Sequence, residues 1–462
     1  MNPFSKLSRA WIACLLFLAA VFPLKGEEAP LLVRLTTETE RIPVYLAPME
    51  ATNSDFDSAY SLKLLNVLQF DLDHNGMTYV FKSSPPWDKL PTSASFDQAP
   101  KTSDWDSLRG PYYLVKIRFQ GKQAAVRLFS QNGGLAKTIE GISLTGDLSK
   151  DRRQIHLLAD AIHKTLFGTD GVASTKILYT LKLKKDASLE SEVWQADYDG
   201  YNAHPITTNS GYSVMPLYIP SRPGYHSGAF FFISYKTGQP KIYYQGFKEG
   251  VARRLTYLKG NQLMPAISRQ RDKLAFISDV TGNPDLFIQP FSPDTGAIGK
   301  PYQIFSTHLA TQGSPTFSPD GNQIAFVSNK DGSPRIYVMD VPAPGTSLNA
   351  IKASLVTKRN RESTAPCWSP DGSKLAYCSV VQGVRQIWVY DFNTREEKQI
   401  TQGLVNKENP TWAPNSRHLI FNSSDKGSCD LYLINLNQTD ATKITSGPGE
   451  KRFPCWEPLI SL

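Results

Sequence analysis

The sequence predicts a mainly β protein, a six-bladed β-propeller preceded by a small α+β N-terminal domain. Three observations predict it. A 27-residue phrase, SPTFSPDGNQIAFVSNKDGSPRIYVMD at residues 314 to 340, can be laid without gaps on stretches beginning at residues 264, 365 and 409. A fifth copy begins at Met215 and needs five extra residues, and a sixth, FPCWEP from Phe453, is cut short by the C-terminus. The phrase prolines Pro216, Pro265, Pro315, Pro366, Pro410 and Pro454 lie 44 to 51 residues apart, a period of propellers and solenoids. Helical periodicity is absent from about residue 172 onward, which favours the propeller.

Within one repeat, Ser318-Pro319-Asp320-Gly321 is a turn: proline presets φ, aspartate can bond its own backbone, and glycine releases the chain. Ser369-Pro370-Asp371-Gly372 repeats it. The runs IAFVS and LAYCS that follow are short, β-branched and aromatic, and lead through a Gly-containing loop into RIYVMD and QIWVYD. A fourth strand carries an Ile-Thr or Leu-Thr signature at Leu255-Thr256, Ile400-Thr401 and Ile444-Thr445. Such a sheet must stack on neighbours, and a closed ring protects its edges. Residues 177 to 207 offer three strands without a Pro-aromatic strand before them, so the strand from Phe453 is expected to complete that blade. Phe317, Phe326, Tyr337, Trp368, Tyr377, Trp388, Trp412, Phe421 and Tyr432 recur in register and are assigned to packing between blades.

The N-terminal domain is expected over residues 27–170 and the propeller over 171–462, with the boundary in Gly168-Thr169-Asp170-Gly171. LLVRL and RIPVYLAPM read as strands. Residues 55 to 70 read as a helix with Leu62, Leu65 and Leu68 apolar, YYLVKIRF and QAAVRLFS as a hairpin, and residues 150 to 167 as a second helix. A Pro-, Ser- and Asp-rich loop separates the first helix from the hairpin.

Lys6 and Arg9 precede an apolar run from Ala10 to Phe22, and Gly26 offers a small residue before Glu27, so residues 1–26 read as a secretory signal peptide. The exported remainder holds 47 basic and 42 acidic residues, a balance too mild to argue for nucleic acid. Its cysteines, Cys367, Cys378, Cys429 and Cys455, follow neither a CxxC nor a stapled-domain spacing, and free or buried thiols are expected.

No catalytic constellation assembles. Gly141-Ile142-Ser143-Leu144-Thr145-Gly146 has the wrong spacing for a nucleophile elbow, and the seven histidines fit no metallohydrolase pattern. His156 and His163, seven apart on one helix, read as surface polarity. Asp197-Tyr198-Asp199-Gly200 reads as a hairpin turn ahead of a metal site. No cofactor and no metal are expected.

The passage LLADAIHKTLFGTDGVASTKILYT, the segment WQADYDGYNAHPIT, the SPDG repeats and the terminal FPCWEP resemble the TolB family, periplasmic components of the Tol-Pal system of Gram-negative envelopes. The resemblance covers essentially the whole exported chain in order. It implies a non-enzymatic, monomeric periplasmic scaffold that maintains outer-membrane integrity and its constriction during division. The partners implied are a Pal-like outer-membrane lipoprotein, bound at one mouth of the propeller, and a TolA-like inner-membrane protein, engaged by the N-terminal segment.

The Pal-contacting loops map onto Asn261, Gln262, Gln312, Gly313, Arg361, Glu362, Ser363, Thr364, Lys407, Glu408, Asn409, Lys451 and Arg452. The TolA contact maps onto Glu27, Glu28, Leu32, Val33 and Arg34, in a segment that matches the family only from Val33. The turn departs from SPDG at Ser268-Arg269-Gln270-Arg271 and Ala413-Pro414-Asn415-Ser416. The competing reading is an exported propeller enzyme, lyase or peptidase-associated, acting on envelope polysaccharide or peptide.

Overall fold

A computed structural model describes residues 41–81, 96–99, 113–130, 134–185, 188–208, 211–425 and 427–459. The expected signal peptide, the strand expected at LLVRL and most of the Pro-rich loop lie outside these residues.

Two helices lean on the first sheet. Helix α1 spans Ser58–Asp73, three residues later than the periodicity predicts, because the Asp57 carboxylate accepts the Tyr60 N–H at 2.6 Å and caps the helix there. Its buried stripe is Leu64, Val67, Leu68 and Leu72, whereas Leu62, expected to be inside, is 50% exposed. Helix α2 spans Leu148–Phe167, capped by Asp147 and ended by Gly168 in the left-handed region at φ 68°.

The sheet runs in the order Thr78–Phe81, Ile42–Leu46, Tyr113–Gly121, Gln123–Ser130, Leu135–Ser143, with Glu50–Ser54 beside Tyr113–Gly121. Val115, Ile117, Val126 and Leu128 meet Leu64 and Leu68 of α1 and Ile155, Leu158 and Ile162 of α2. The same core continues into Ile177, Tyr179, Tyr198, Ala413, Leu431 and Trp456 of the propeller.

From Lys176 onward the chain is a β-propeller. Three sheets have four strands, led by Ser213–Tyr218, Gln312–Phe317 and Ser363–Trp368, and a five-stranded sheet is led by Gln262–Ile267. The last sheet has eight strands. Asn406–Trp412, His418–Asp425, Ser428–Asn435 and Thr442–Lys443 form one half, and Glu450–Trp456, Lys176–Lys185, Ser188–Asp197 and His204–Pro205 the other. A single parallel pair, Cys429 with Glu450, joins the halves. Within the second half, Glu450–Trp456 pairs antiparallel with Lys176–Lys185, placing Arg452 opposite Thr180 and Trp456 opposite Ile177.

Aromatic residues bridge neighbouring sheets. Trp368, Tyr377 and Trp388 cluster with Ala325 and Ile336 of the sheet before, Trp412 and Phe421 with Ala376 and Ile387, and Tyr218, Phe230 and Phe232 with Leu178 and Val193. Of the aromatics assigned to packing, only Tyr432 is not fully buried.

Two repeated devices hold the strands in register. At every phrase proline the first strand slips by one residue against the second, and the preceding residue takes a positive φ: Met215, Met264, Ser314, Ala365, Asn409 and Phe453 lie between 44° and 55°. Proline has no N–H for the ladder, so a bulge absorbs it. The second device explains the signature at Thr401 and Thr445 but not at Thr256, whose hydroxyl donates to the Gln262 side chain at 3.2 Å. The buried hydroxyls of Thr207, Thr357, Thr401 and Thr445 accept the N–H groups of Val193, Ile336, Ile387 and Leu431 at 2.9 to 3.2 Å, clipping the fourth strand to the third.

The departures from SPDG keep the turn. Arg271 and Ser416 stand where Gly321 and Gly372 do, at φ 63° and 56°, and close the same turn bond to Ser268 and Ala413.

Candidate partner-binding face

The strand directions send the loops that precede each phrase proline to one end of the ring and the SPDG-type turns to the other. The N-terminal helices pack at the turn end. There His74 Nε2 lies 3.0 Å from Thr442 Oγ1, Asn437 donates to the Gly76 carbonyl, and Arg417 contacts Met77. Among the described residues, these contacts of the N-terminal region are with the turn end and not with the pre-proline end.

On the pre-proline end the thirteen positions expected to meet a partner divide into two groups. Arg361 and Glu362 are exposed, and Asn261, Gly313, Thr364, Lys407, Glu408, Asn409 and Arg452 are half-buried. Gln262, Gln312, Ser363 and Lys451 are buried, which corrects their assignment as free surface groups. The Gln262 amide donates to the carbonyls of Leu258, Lys259 and Gly260, and the Gln312 amide to those of Pro284, Ala310 and Thr311. Ser363 bonds Ser379. The Lys451 ammonium, 5% exposed, lies 3.1 Å from Asp430 and donates to the Gly447 carbonyl.

The cause is positional. The residue three before the proline points into the sheet, as Ser213 also does at 0% exposure. These side chains hold the loops in shape and do not project from them.

The remaining polar groups are largely paired. Asn261 spends its backbone and side-chain N–H groups on Asp279. Glu408 lies 3.0 Å from Arg385 and 3.5 Å from Arg452, and Arg452 bonds Glu450 at 2.8 Å. Burial lowers the pKa of Lys407, whose ammonium donates to the Val405 carbonyl. Residues Glu27, Glu28, Leu32, Val33 and Arg34 lie outside the described residues.

A cavity of about 330 Å³ occupies the centre of the ring, lined by the bulge residues Met264, Ser314 and Phe453 and, toward the turn end, by Arg269 and Pro319. Of the thirteen positions only Asn409 lines it.

The other concentration of chemistry is where α1 and α2 meet the propeller. Asp197-Tyr198-Asp199-Gly200 is a hairpin turn, closed by the Gly200 N–H on the Asp197 carbonyl at 2.9 Å, and it inserts Tyr198 and Asp199 between the helices. Asp71 on α1 accepts from the Tyr198 hydroxyl at 2.7 Å and from His156 Nδ1 on α2 at 2.8 Å. Arg152 pairs with Asp199, and its guanidinium lies 3.9 Å from the Tyr201 ring. His156 and His163 are each 2% exposed, which corrects their reading as surface polarity: α2 packs on the sheet with one face and on the propeller with another.

Ligand atoms of His156, Asp197 and Asp199 lie within 4.8 Å of one another, as in a metal centre. However, Arg152 already provides the cation for Asp199. Burial alone would depress His156, but the facing Asp71 and Asp199 outweigh it and raise its pKa to about 9. This geometry is that of an ion-pair network joining helices to propeller.

Residues 163–460 match the family described as the TolB beta propeller domain. A protein of Protochlamydia amoebophila (strain UWE25) named as a TolB homolog is 53% identical over 413 residues, 88% of each chain. A TolB homolog of Chlamydia pneumoniae is 41% identical over 298 residues, 64% of this chain and 67% of that one. The crystal structure of TolB from Acinetobacter baumannii superposes with a TM-score of 0.73 over 91% of this chain and 97% of that chain, at 21% identity, a likeness of fold.

Proposed function

The chain belongs to the TolB family, whose members are not enzymes, and from that membership we propose that it is a periplasmic scaffold of the Tol-Pal system. In this reading it joins a Pal-like outer-membrane lipoprotein to a TolA-like inner-membrane protein and so maintains the outer membrane and its constriction at division. The observation that carries the reading is the 53% identity to a TolB homolog along 88% of both chains, which spans helices and propeller together.

In this reading the two halves of the eight-stranded sheet are separate blades of a six-bladed ring, closed by Glu450–Trp456, behind an α+β domain ending near residue 170. Residues 1–26 act as the signal peptide, and the mature protein works as a monomer. Among the described residues no helix is long and apolar enough to cross a membrane.

The Pal-like partner docks on the pre-proline face, where Arg361, Glu362, Thr364, Glu408, Asn409 and Arg452 are free of core duty. Glu27, Glu28, Leu32, Val33 and Arg34 form the TolA-binding segment. Affinity capture from envelope extracts with the mature protein as bait tests the proposal: a Pal-like lipoprotein is expected in the eluate. Its consistent absence, with folded bait and the lipoprotein present in the extract, overturns the reading.

A further inference from the structure

We propose that three apolar loop side chains, Tyr257, Leu309 and Leu404, anchor the partner on the pre-proline face, and that the surface they fit is an acidic protein domain carrying apolar side chains. The inference rests on the reading that this face docks a Pal-like lipoprotein and adds which side chains hold it.

Leu404, Leu309 and Tyr257 are 94%, 84% and 80% exposed, the three most exposed large hydrophobic residues among those described. Single exposed apolar residues are ordinary on a protein surface. Here all three lie in one kind of loop, between the last strand of one sheet and the first strand of the next, at the same end of the ring. Leu309 and Leu404 each stand six residues before a phrase proline.

Leu309 also sits at φ +59°, where a branched side chain is strained and glycine or asparagine is relaxed. It therefore bears both exposure and strain while packing into no core. The loops are braced from below: Arg254 lies 5.0 Å from the Tyr257 ring, and the Gln386 amide donates to the Gly403 carbonyl at 2.8 Å, next to Leu404. Apolar groups presented on braced loops bind with little ordering cost.

Charge names the partner. Several acids of this face are answered within the protein: Asp279 by Asn261, Glu408 by Arg385 and Arg452, and Glu450 by Arg452. The exposed cations Lys259, Lys358 and Arg361 have no ion pair among the described residues; the exposed acids of this end include Glu362, Asp425 and Asp331, the last paired with Lys330. A complementary surface is apolar where it meets the anchors and acidic around them.

The probe is the soluble periplasmic domain of the Pal-like lipoprotein of the same organism, immobilised and titrated with the mature full chain. Leu309→Ser with Leu404→Ser is expected to weaken binding at least tenfold through faster dissociation, equally at low and high salt, with an unchanged melting temperature. Tyr257→Ala is expected to act in the same direction. Lys259→Glu with Lys358→Glu and Arg361→Glu is expected to slow association at low salt, with the difference shrinking as salt rises. Val251→Ser, at the turn end of the ring, is the control expected to match wild type. Wild-type dissociation from the Leu309/Leu404 variant overturns this inference and leaves the scaffold reading standing. Failure of the folded wild-type chain to bind the domain overturns the reading and the inference together.

Discussion

Nδ1 of His156 donates to the carboxylate of Asp71 across 2.8 Å, between two helices and with both side chains at most 2% exposed. Around them stand Asp199, Asp197 and Tyr198 from the propeller turn and Arg152 one turn back on α2. Burial disfavours the imidazolium, but the carboxylates of Asp71 and Asp199 more than restore it, and its pKa rises from 6.5 to about 9. The sign follows. A histidine with a raised folded pKa stabilises fully below its unfolded value and loses that contribution as pH rises through the folded one. Wild-type stability is expected to fall by about 3 kcal/mol between pH 6.5 and pH 9.5 from this group. His156→Gln should remove most of that slope in denaturant titrations, and an identical slope in the variant would mean that the pair does not form.

The acid limb has a different origin. His163 and His418 are buried without a carboxylate close enough to compensate, and burial pushes them down to about 4 and about 3. Depressed groups stabilise above the unfolded pKa and lose that contribution as pH falls through the folded one. Stability should therefore also decline below pH 6.5. His418→Asn is expected to lower stability at pH 7, because the Asn435 amide bonds the ring at 3.1 Å, while making the decline toward pH 4 shallower. Parallel acid limbs in variant and wild type would rule out this origin.

Ring closure is concentrated in Glu457. Its carboxylate, 2% exposed, accepts the Lys176 N–H at 3.1 Å and the Ser227 N–H at 2.9 Å, tying the C-terminal strand to its own partner strand and to the neighbouring sheet. Glu457→Ala leaves two N–H groups without their acceptor, at about 1–3 kcal/mol each where they stay buried. Truncation after Gly449 should go further and destabilise the whole ring, because it also removes Trp456, whose indole N–H donates to Thr175 at 2.7 Å. A truncated chain that melts at the wild-type temperature would show that this strand does not close the propeller.

What was legible in the sequence follows from period. The phrase repeats every blade, so its turns, strands and packing aromatics are visible as pattern, and the Ile-Thr signature marks a real clip although its hydroxyl bond was not foreseen. Positions inside the loops were harder. Arg361 and Lys451 look alike as loop cations, yet Lys451 stands three before its proline and turns inward to Asp430. Counting three back from the proline, an even step once the bulge residue is left out, identifies that inward position, as buried Gln262, Gln312 and Ser363 show. Leu309 and Leu404 left no signal, because an apolar residue in a loop reads as core. His156 was misread because α2 serves two surfaces at once, and its partner Asp71 is 85 positions away on another helix.

The thiols offer a further check. Burial raises Cys367 to about 11, Cys378 and Cys455 to about 12, and Cys429 in the same direction. The thiolate is the reactive form, so in an oxidising compartment these groups are protected by their pKa as well as by enclosure. The native mature protein at pH 8 should react negligibly with a disulfide reagent over minutes, and all four thiols should titrate in denaturant. Rapid native labelling of any of them would contradict this burial.

The threonine clip links stability to the proposed binding face. Thr401 accepts the Ile387 N–H at 2.9 Å and donates to the Gln386 side chain at 2.8 Å, and Gln386 in turn holds the Gly403 carbonyl beneath Leu404. Valine fills the same space but offers no acceptor, so Thr401→Val leaves a buried donor unsatisfied and is expected to cost about 1–3 kcal/mol. Serine keeps the oxygen and should recover most of the loss. Hydrogen exchange at Ile387 should accelerate in the valine variant and return toward wild type in the serine variant. Because the same hydroxyl braces the loop, Thr401→Val should also weaken partner binding, with serine restoring both properties together. Restored stability without restored binding would separate the clip from the anchor it supports.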